Sequence, residues 1–254
     1  MKKNNLNVVS TFSGCGGSCL GYKLAGFNVI WANEFVEIAQ KSYRANFPDT
    51  FLNTKDIREI TIEEIKEQTQ NKEIDIFDGS PPCNSFSTAG AREKNWGKEK
   101  EYFGKKQKCD DLFFEYSRIL KGLQPKVFIA ENVSGLVKGT AKGYFKLILE
   151  ELKQCGYNVI AMLLNAKFLD VPQNRERIIF YGIRKDIGII PEPPKPKPCK
   201  KTVKDCLSND NIETECWLKE GTKASLIWEQ PEKVETTLRL FFFTYFCHSI
   251  RIYI

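Results

Sequence analysis

The sequence is poor in residues that bind metals. Its 254 residues include one histidine, His248. The glycines between Cys15 and Cys19 belong to another motif, and no second cysteine pair complements this one. The three cysteines between residues 199 and 216 are too irregularly spaced for a zinc site. We therefore predict no metal.

Export and membrane signals are also missing. The N-terminal "MKKNNLNVVS" has two lysines but no apolar run of signal-peptide length, which favours a cytoplasmic protein. The nine cysteines follow no framework spacing and are expected to be reduced. The apolar ending "RLFFFTYFCHSIRIYI" is shorter than a membrane span of about 20 residues. It is more typical of an aggregation-prone strand, so we expect no membrane partner.

The composition is that of an ordinary globular protein. Charged residues make up 28% and hydrophobic residues 42% of the chain, whose mass of 29.2 kDa allows one sizeable core. The net charge of +6 and the pI near 8.7 permit a nucleic-acid partner without requiring one.

Short β-branched runs alternate with helical patterns from residue 6 to residue 156. Thr61 and Glu64 have the spacing of a capping box at the start of one of these helices. The last two strands, "YNVIAMLLN" and "RIIFYGI", have only a short connection and should be antiparallel neighbours. This order predicts an α/β fold with a mostly parallel sheet, an antiparallel final hairpin strand and helices on both faces.

The distinctive residues follow the predicted strands, where open α/β sheets bind their ligands. They are the glycine turn "SGCGG", Glu34, Asp56, "SPPC" and "ENV". The turn does not complete the dinucleotide pattern G-x-G-x-x-G, because Cys19 replaces the third glycine. Glu34, 20 residues after Gly14, suits a ribose, so a ribose-containing cofactor other than a nicotinamide dinucleotide is favoured. The turn alone also fits a strand-to-helix connection without a ligand.

Cys83 lies in an unusual context, "SPPCNSFS". Structural cysteines usually sit in apolar runs. Here two prolines stiffen the chain before the thiol, and small hydroxyl residues follow it. A rigid, polar turn at a strand end is the setting that a nucleophilic thiol requires.

The motifs "FSGCGGSCLGYKLAGF", "GSPPCNSFS", "ENV" and "DVPQNRERIIFYGI" resemble, in order, those of the cytosine-5 DNA methyltransferases. The resemblance covers roughly residues 6–185, with Asn84 where the family usually has glutamine. It implies a Rossmann-like fold that binds S-adenosyl-L-methionine. It also implies methyl transfer to C5 of a flipped-out cytosine in double-stranded DNA, in a restriction-modification system.

The resemblance assigns a role to individual residues. Cys83 would add to C6 of the base, Glu131 would contact the ring N3 and the exocyclic amine, and Arg175 and Arg177 would hold the base and backbone. The implied cofactor residues are Phe12, Gly14, Gly16, Gly17, Glu34, Phe35, Asp56, Ile57 and Pro81. The implied DNA contacts are Ser85, Ser87, Lys98, Lys100, Lys105, Lys106 and Gln173.

The lysine-rich segment 87–108 resembles the mobile catalytic loop of the family. It has seven Lys or Arg residues against three Glu, which suits phosphate contacts. Without the resemblance it would be typical of a soluble loop, and the arginines of "QNRER" would fit a solvated hairpin turn.

We expect three regions: a catalytic domain (1–188), a partial target-recognition or linker region (189–237) that opens with the proline hinge "PEPPKPKP", and an atypical apolar tail (238–254). The final family motifs are not recognisable, so the lone chain is expected to be a poor enzyme. Two alternatives stay open: an RNA cytosine-5 methyltransferase, and a non-catalytic protein that is either truncated or one half of a split enzyme needing a C-terminal partner. A cognate restriction endonuclease is a possible further partner.

Overall fold

One seven-stranded sheet organises the protein, with strand order β3-β2-β1-β4-β7-β9-β8. The computed structural model describes residues 6–82, 100–102, 105–107, 112–137 and 142–198. The strands are β1 Asn7–Thr11, β2 Asn28–Asn33, β3 Phe51–Asn53, β4 Ile76–Gly79, β5 Lys100–Tyr102, β6 Lys105–Gln107, β7 Val127–Val133, β8 Tyr157–Asn165 and β9 Glu176–Arg184. Strands β3, β2, β1, β4 and β7 are parallel, while β9 runs antiparallel to both β7 and β8.

Helices cover both faces of the sheet, as the sequence predicted. They are α1 Gly17–Leu24, α2 Glu37–Asn46, α3 Ile62–Gln68, α4 Leu112–Leu123 and α5 Lys142–Gln154. Neighbouring residues of β4 point to opposite faces: Phe77 packs in the core under α3, α4 and α5, and Ile76 packs in the core under α1 and α2. Each such fully buried apolar side chain contributes about 1.5–3 kcal/mol, so the central strands are stabilised from both sides.

The last two strands confirm the predicted antiparallel pair, with a ladder from Tyr157–Arg184 to Asn165–Glu176. Their position was not predicted: β9 lies between β7 and β8, and Arg177 is paired in register with Val133. Because β9 is reversed, it begins at the edge where the parallel strands end. Residues that precede or open β9 therefore join residues that follow the other strands.

The predicted capping box of α3 is half formed. The Thr61 hydroxyl accepts a hydrogen bond from the Glu64 N–H at 3.1 Å. The Glu64 carboxylate instead accepts from the Asn53 side-chain amide and the Lys55 ammonium, each at 3.0 Å. The end of β3 brings these donors close, and a charged donor outcompetes the helix N-terminus for the carboxylate.

The proline hinge is anchored to the loop before β9. The Asp170 N–H donates to the Lys197 carbonyl at 2.7 Å, and the Lys197 N–H donates to the Phe168 carbonyl at 2.6 Å. The Lys197 ammonium also pairs with the Asp170 carboxylate at 2.5 Å. The predicted target-recognition region after Pro198 and the apolar tail lie outside the described residues. None of the helices in the described ranges is long and apolar enough to cross a membrane.

Candidate active site

The glycine turn connects β1 to α1 in a conformation that favours glycine. Gly14 and Gly16 have φ of 56° and 91°, in the left-handed region. A Cβ on Gly16 would lie 2.2 Å from the Phe47 ring, so the turn packs directly on the residue that follows α2. No described atom lies within 4 Å of a Cβ built on Gly14. The turn therefore leaves room beside Gly14, one of the cofactor residues that the resemblance implies.

Glu34 links the glycine turn to the start of α2. Its Oε2 accepts a hydrogen bond from the Gly14 N–H and its Oε1 accepts one from the Val36 N–H, both at 2.7 Å. Burial raises the pKa of Glu34, and the backbone N–H groups of Val36, Gly14 and Phe35 counteract this. A carboxylate has about four acceptor positions, so about one remains for a predicted ribose hydroxyl after these three N–H groups.

The remaining predicted cofactor residues flank this turn. Asp56 accepts from the Arg58 N–H at 3.1 Å and caps the 3-10 turn Ile57–Glu59. The Ile57 side chain is buried in the core, which leaves only its backbone for a ligand. Phe12, with φ of 53°, is partly buried against the core, and Phe35 is half-buried beside Glu34.

The proline turn after β4 is held from both sides. The Ser80 hydroxyl donates to the Phe12 carbonyl at 3.2 Å, and the Asn132 side-chain amide donates to the Pro81 carbonyl at 3.2 Å. Asn132 is buried, and its Oδ1 accepts from the Val133 N–H at 2.8 Å, which fixes the amide orientation. Pro81 and Pro82 are thus placed between the ends of β1 and β7, and Cys83 itself lies outside the described residues.

Glu131 and Arg177 form an ion pair across the ladder between β7 and β9. The Arg177 Nε lies 2.7 Å from Glu131 Oε1, and both side chains are about four-fifths buried. The contact is a close approach of opposite charges, and neither atom has an aligned hydrogen-bond partner among the described residues. Burial raises the pKa of Glu131, and the charges of Arg177 and Arg175 lower it in part. The predicted arginines and the predicted carboxyl are therefore brought together.

The predicted DNA contacts are only partly within the described chain. Ser85, Ser87 and Lys98 lie outside it. Lys100 is paired in backbone register with Gln107, and Lys106 with Glu101. The sequence did not predict this β5–β6 hairpin. Gln173 is half-buried in a tight turn, in which the Arg175 N–H donates to its carbonyl at 3.1 Å.

Known proteins resemble this chain over most of its length. Residues 6–248 match the family C-5 cytosine-specific DNA methylase. This chain belongs to that family. It is 41% identical over 186 residues to the Type II methyltransferase M.NgoPII of Neisseria gonorrhoeae, which covers 73% of this chain and 50% of that protein. It is 40% identical over 184 residues to M.FnuDI of Fusobacterium nucleatum, covering 72% of this chain and 48% of that protein.

Solved structures of methyltransferases have the same fold. A putative DNA modification methyltransferase encoded within an E. coli prophage matches with a TM-score of 0.67 and 28% identity, over 81% of this chain and 56% of that one. A DNMT2 of Spodoptera frugiperda, at 23% identity and a TM-score of 0.61, shares the fold over 82% of this chain and 61% of that one. The chain spans about half the length of the curated relatives that it matches.

The sequence analysis of this methylase-family chain missed Asp78. This β4 residue is buried and accepts hydrogen bonds from the hydroxyls of Ser10 at 3.0 Å, Ser18 at 2.8 Å and Tyr22 at 3.0 Å. Its only sequence signal is a carboxylate inside the apolar run "IDIFDG". Cys19, which replaces the third glycine, is buried, and burial raises the pKa of its thiol to about 11, so it is not a reactive cysteine.

Proposed function

We propose that this chain methylates C5 of cytosine in double-stranded DNA, with S-adenosyl-L-methionine as methyl donor and Cys83 as nucleophile. One observation supports this most: the proline turn before Cys83 is tied to both the glycine turn and the strand that carries Glu131. The three parts that the reaction needs are a cofactor turn, a fixed thiol and a group for the base. The glycine turn, Glu131 and the prolines that precede Cys83 lie at one edge of the sheet.

The described residues fit the proposed cofactor. Glu34 retains an acceptor position for a ribose hydroxyl, and the space beside Gly14 is open. When bound, S-adenosyl-L-methionine supplies an electrophilic methyl group. Asp56 and Phe35 would contact the adenine, and the backbone of the glycine turn would contact the methionine portion.

Cys83 would act as thiolate and add to C6 of a flipped-out cytosine. The bond from sulfur to C6 moves electrons into the ring, so C5 becomes nucleophilic and takes the methyl group. Removal of the C5 proton and elimination of the thiolate then restore the aromatic ring and the free Cys83. Pro81 and Pro82 reduce the freedom of the chain before the thiol, which favours the attack geometry.

Glu131 would stabilise the base while the thiolate adds. Because burial raises its pKa, the carboxyl retains its proton to higher pH than an exposed glutamate. A protonated carboxyl can donate a hydrogen bond to N3, where negative charge develops. Arg177 and Arg175 would hold the adduct, and they also keep the Glu131 pKa from rising further.

Covalent trapping tests this proposal. DNA that carries 5-fluorocytosine has no C5 proton to remove, so the protein–DNA adduct should persist on a denaturing gel in the presence of cofactor. Cys83→Ala should give no adduct, whereas Cys15→Ala, which removes an exposed thiol of the glycine turn, should still form it. An adduct in Cys83→Ala, or one that maps to another cysteine, would contradict the assignment.

The substrate needs its own comparison. Tritiated methyl transfer is measured on mixed-sequence DNA and on tRNA, and we expect incorporation into DNA only. The relatives are about twice as long as the aligned region, so each assay is run with and without the remaining part of such a relative supplied as a separate polypeptide. Methyl transfer to tRNA but not to DNA would show that the substrate is RNA.

The regions and partners are proposals as well. We assign catalysis to residues 1–188 and target recognition to residues 189–237 with any partner polypeptide, and we expect a cognate restriction endonuclease. Bisulfite sequencing of DNA from cells that express the gene would identify the recognition site. The cytoplasmic location stays a prediction.

A further inference from the structure

Asp78 is a carboxylate sealed beneath the first turn of α1. It lies on β4 opposite Ser10 of β1 and is 7% exposed. Its Oδ2 accepts from the hydroxyls of Ser10 and Ser18, and its Oδ1 accepts from the Tyr22 hydroxyl. The Ser13 hydroxyl donates to Ser10 Oγ at 3.1 Å, so the network continues into the glycine turn.

No cation balances this carboxylate within the described ranges, where none of the ion pairs involves Asp78. Asp75, three residues earlier, shows the usual arrangement for a buried acid: its carboxylate pairs with the Lys126 ammonium at 2.7 Å. Burial raises the pKa of Asp78, and hydrogen bonds from the hydroxyls of Ser18, Tyr22 and Ser10 counteract this because they stabilise the ionised form. The ionised form of Asp78 is a buried negative charge next to the candidate cofactor turn.

The position of Asp78 reverses the usual electrostatics of such a turn. A glycine turn that opens a helix favours anions, because the helix N-terminus carries partial positive charge. The proposed cofactor is the opposite case, because its reactive sulfur is a sulfonium cation. Asp78 accepts a hydrogen bond from Ser18 in the first turn of α1, so its ionised form opposes the partial positive charge of the helix terminus. Its field extends to the base side of the site: burial is the main cause that raises the pKa of Glu131, and Asp78 adds to it.

We propose that Asp78 makes the cofactor site selective for a ligand with a positively charged sulfur over one with a neutral sulfur. This inference rests on the proposed function. Methyl transfer converts the sulfonium into the neutral thioether of S-adenosylhomocysteine. The same carboxylate therefore favours the exchange of spent product for fresh donor, without touching either reacting atom. Asp78 is in this sense a specificity-determining residue.

The test compares two ligands that differ at sulfur. The Kd of S-adenosylmethionine and of S-adenosylhomocysteine is measured by calorimetry for the full chain and for Asp78→Asn, which keeps the shape of the side chain and one of its acceptor oxygens. The donor should lose about fivefold to tenfold more affinity than the product, the range expected for two charges interacting at a distance inside a protein. A merely structural role would weaken both ligands equally.

Asp75→Asn is the matched control, because it removes a buried carboxylate just before the same strand, where Lys126 already balances it. It should leave the ratio of the two Kd values unchanged. If Asp78→Asn does not fold, the apolar variant Asp78→Val with Ser10→Ala, Ser18→Ala and Tyr22→Phe removes the charge and all three hydroxyls together. It should show the same selective loss of donor affinity.

The outcomes separate this inference from the proposed function. Equal weakening of both ligands in a folded Asp78 variant overturns the inference and leaves the proposed function intact. Failure of the unaltered chain to bind either ligand overturns the cofactor assignment, and the inference falls with it. A selective loss of donor affinity also in Asp75→Asn would show a general charge effect and overturn the assignment to Asp78.

Discussion

The Asn132 side-chain amide donates a hydrogen bond to the Pro81 carbonyl at 3.2 Å, so the strand that carries Glu131 also holds the turn before Cys83. Asn132→Asp replaces this donor by an acceptor and should shift the turn. We expect kcat to fall about tenfold to a hundredfold, the usual result of misplacing a nucleophile by about 1 Å. The Kd of S-adenosylmethionine should change little.

Asn158→Asp is the control for this prediction. Asn158 makes the same kind of bond, from its side-chain amide to the Ile189 carbonyl at 3.3 Å, but on β8 at the far side of the sheet. The kcat of Asn158→Asp should be close to that of the unaltered protein. If both variants lose activity to the same extent, general destabilisation explains the effect better than placement of the thiol.

The ion pair of Glu131 and Arg177 makes a prediction about pH. If protonated Glu131 is the active form, as the proposed mechanism requires, kcat/KM should decline as the pH rises through the Glu131 pKa, which burial raises. Arg177 favours the ionised carboxylate. Arg177→Gln should therefore lower the rate but shift the alkaline limb of the pH profile to higher pH. Arg184→Gln removes a cation that pairs with Asp186 at the other end of β9 and should not move the limb. A downward shift in Arg177→Gln would contradict the protonated role of Glu131.

Glu34 should matter for the cofactor more than for the base. Glu34→Gln replaces one carboxylate oxygen by an NH₂ group that cannot accept a hydrogen bond from Gly14 or Val36. Hydrogen bonds to charged groups are worth about 1.5–3 kcal/mol, so cofactor affinity should fall about tenfold or more. Glu63→Gln, at an exposed position in α3, should leave it unchanged. The Kd of S-adenosylmethionine is measured by calorimetry. Equal Kd values for Glu34→Gln and Glu63→Gln would show that Glu34 does not bind the cofactor.

Gly16 should not tolerate a side chain. In Gly16→Ala the new Cβ would lie 2.2 Å from the Phe47 ring, at a φ of 91°. We expect a loss of about 1–3 kcal/mol in the free energy of unfolding, partly recovered in Gly16→Ala with Phe47→Leu. Gly143→Ala is the control, because no described atom lies within 4 Å of its Cβ position in α5. Gly143→Ala should leave the free energy of unfolding, measured in urea, unchanged or raise it by up to about 1 kcal/mol.

The lysine-rich segment should neutralise phosphates of the DNA backbone. Changing Lys98, Lys100, Lys105 and Lys106 to Gln should weaken DNA binding. The log–log slope of its salt dependence should flatten by about 0.9 for each phosphate that the variant no longer neutralises. The control changes Lys121, Lys142, Lys146 and Lys153 to Gln, which removes the same charge from exposed positions of α4 and α5. Equal slopes for the two quadruple variants would show that the segment does not touch the backbone.

The sequence was sufficient for most of the sheet because each strand and helix has a local pattern. Val8 and Val9 face opposite cores, and the glycine turn, Glu34 and "SPPC" follow strands whose carboxyl ends meet at one edge. The prediction that Glu131 and Arg177 share a site required the family resemblance. The ladder between β7 and β9 now supplies its physical basis.

Other features were inaccessible because they depend on partners distant in sequence. The Asp78 network takes hydroxyls from β1 and α1, which are 56 to 68 positions away in the sequence. The Glu64 carboxylate accepts hydrogen bonds from Asn53 and Lys55 at and after the end of β3, so it does not complete the capping box of α3. The β5–β6 hairpin lies in a lysine-rich segment without apolar alternation, so the two-residue period that reveals strands was missing.

The place of β9 has a consequence for the order of assembly. It is the last strand along the described chain, yet it is an inner strand of the sheet. Until residues 176–184 leave the ribosome, β7 and β8 each have an open edge, and such edges invite pairing with other chains. Insertion of β9 pairs with both β7 and β8 and brings Arg177 to Glu131 in the same event. A nascent chain therefore cannot form the Glu131–Arg177 pair before β9 has joined β8 to the rest of the sheet.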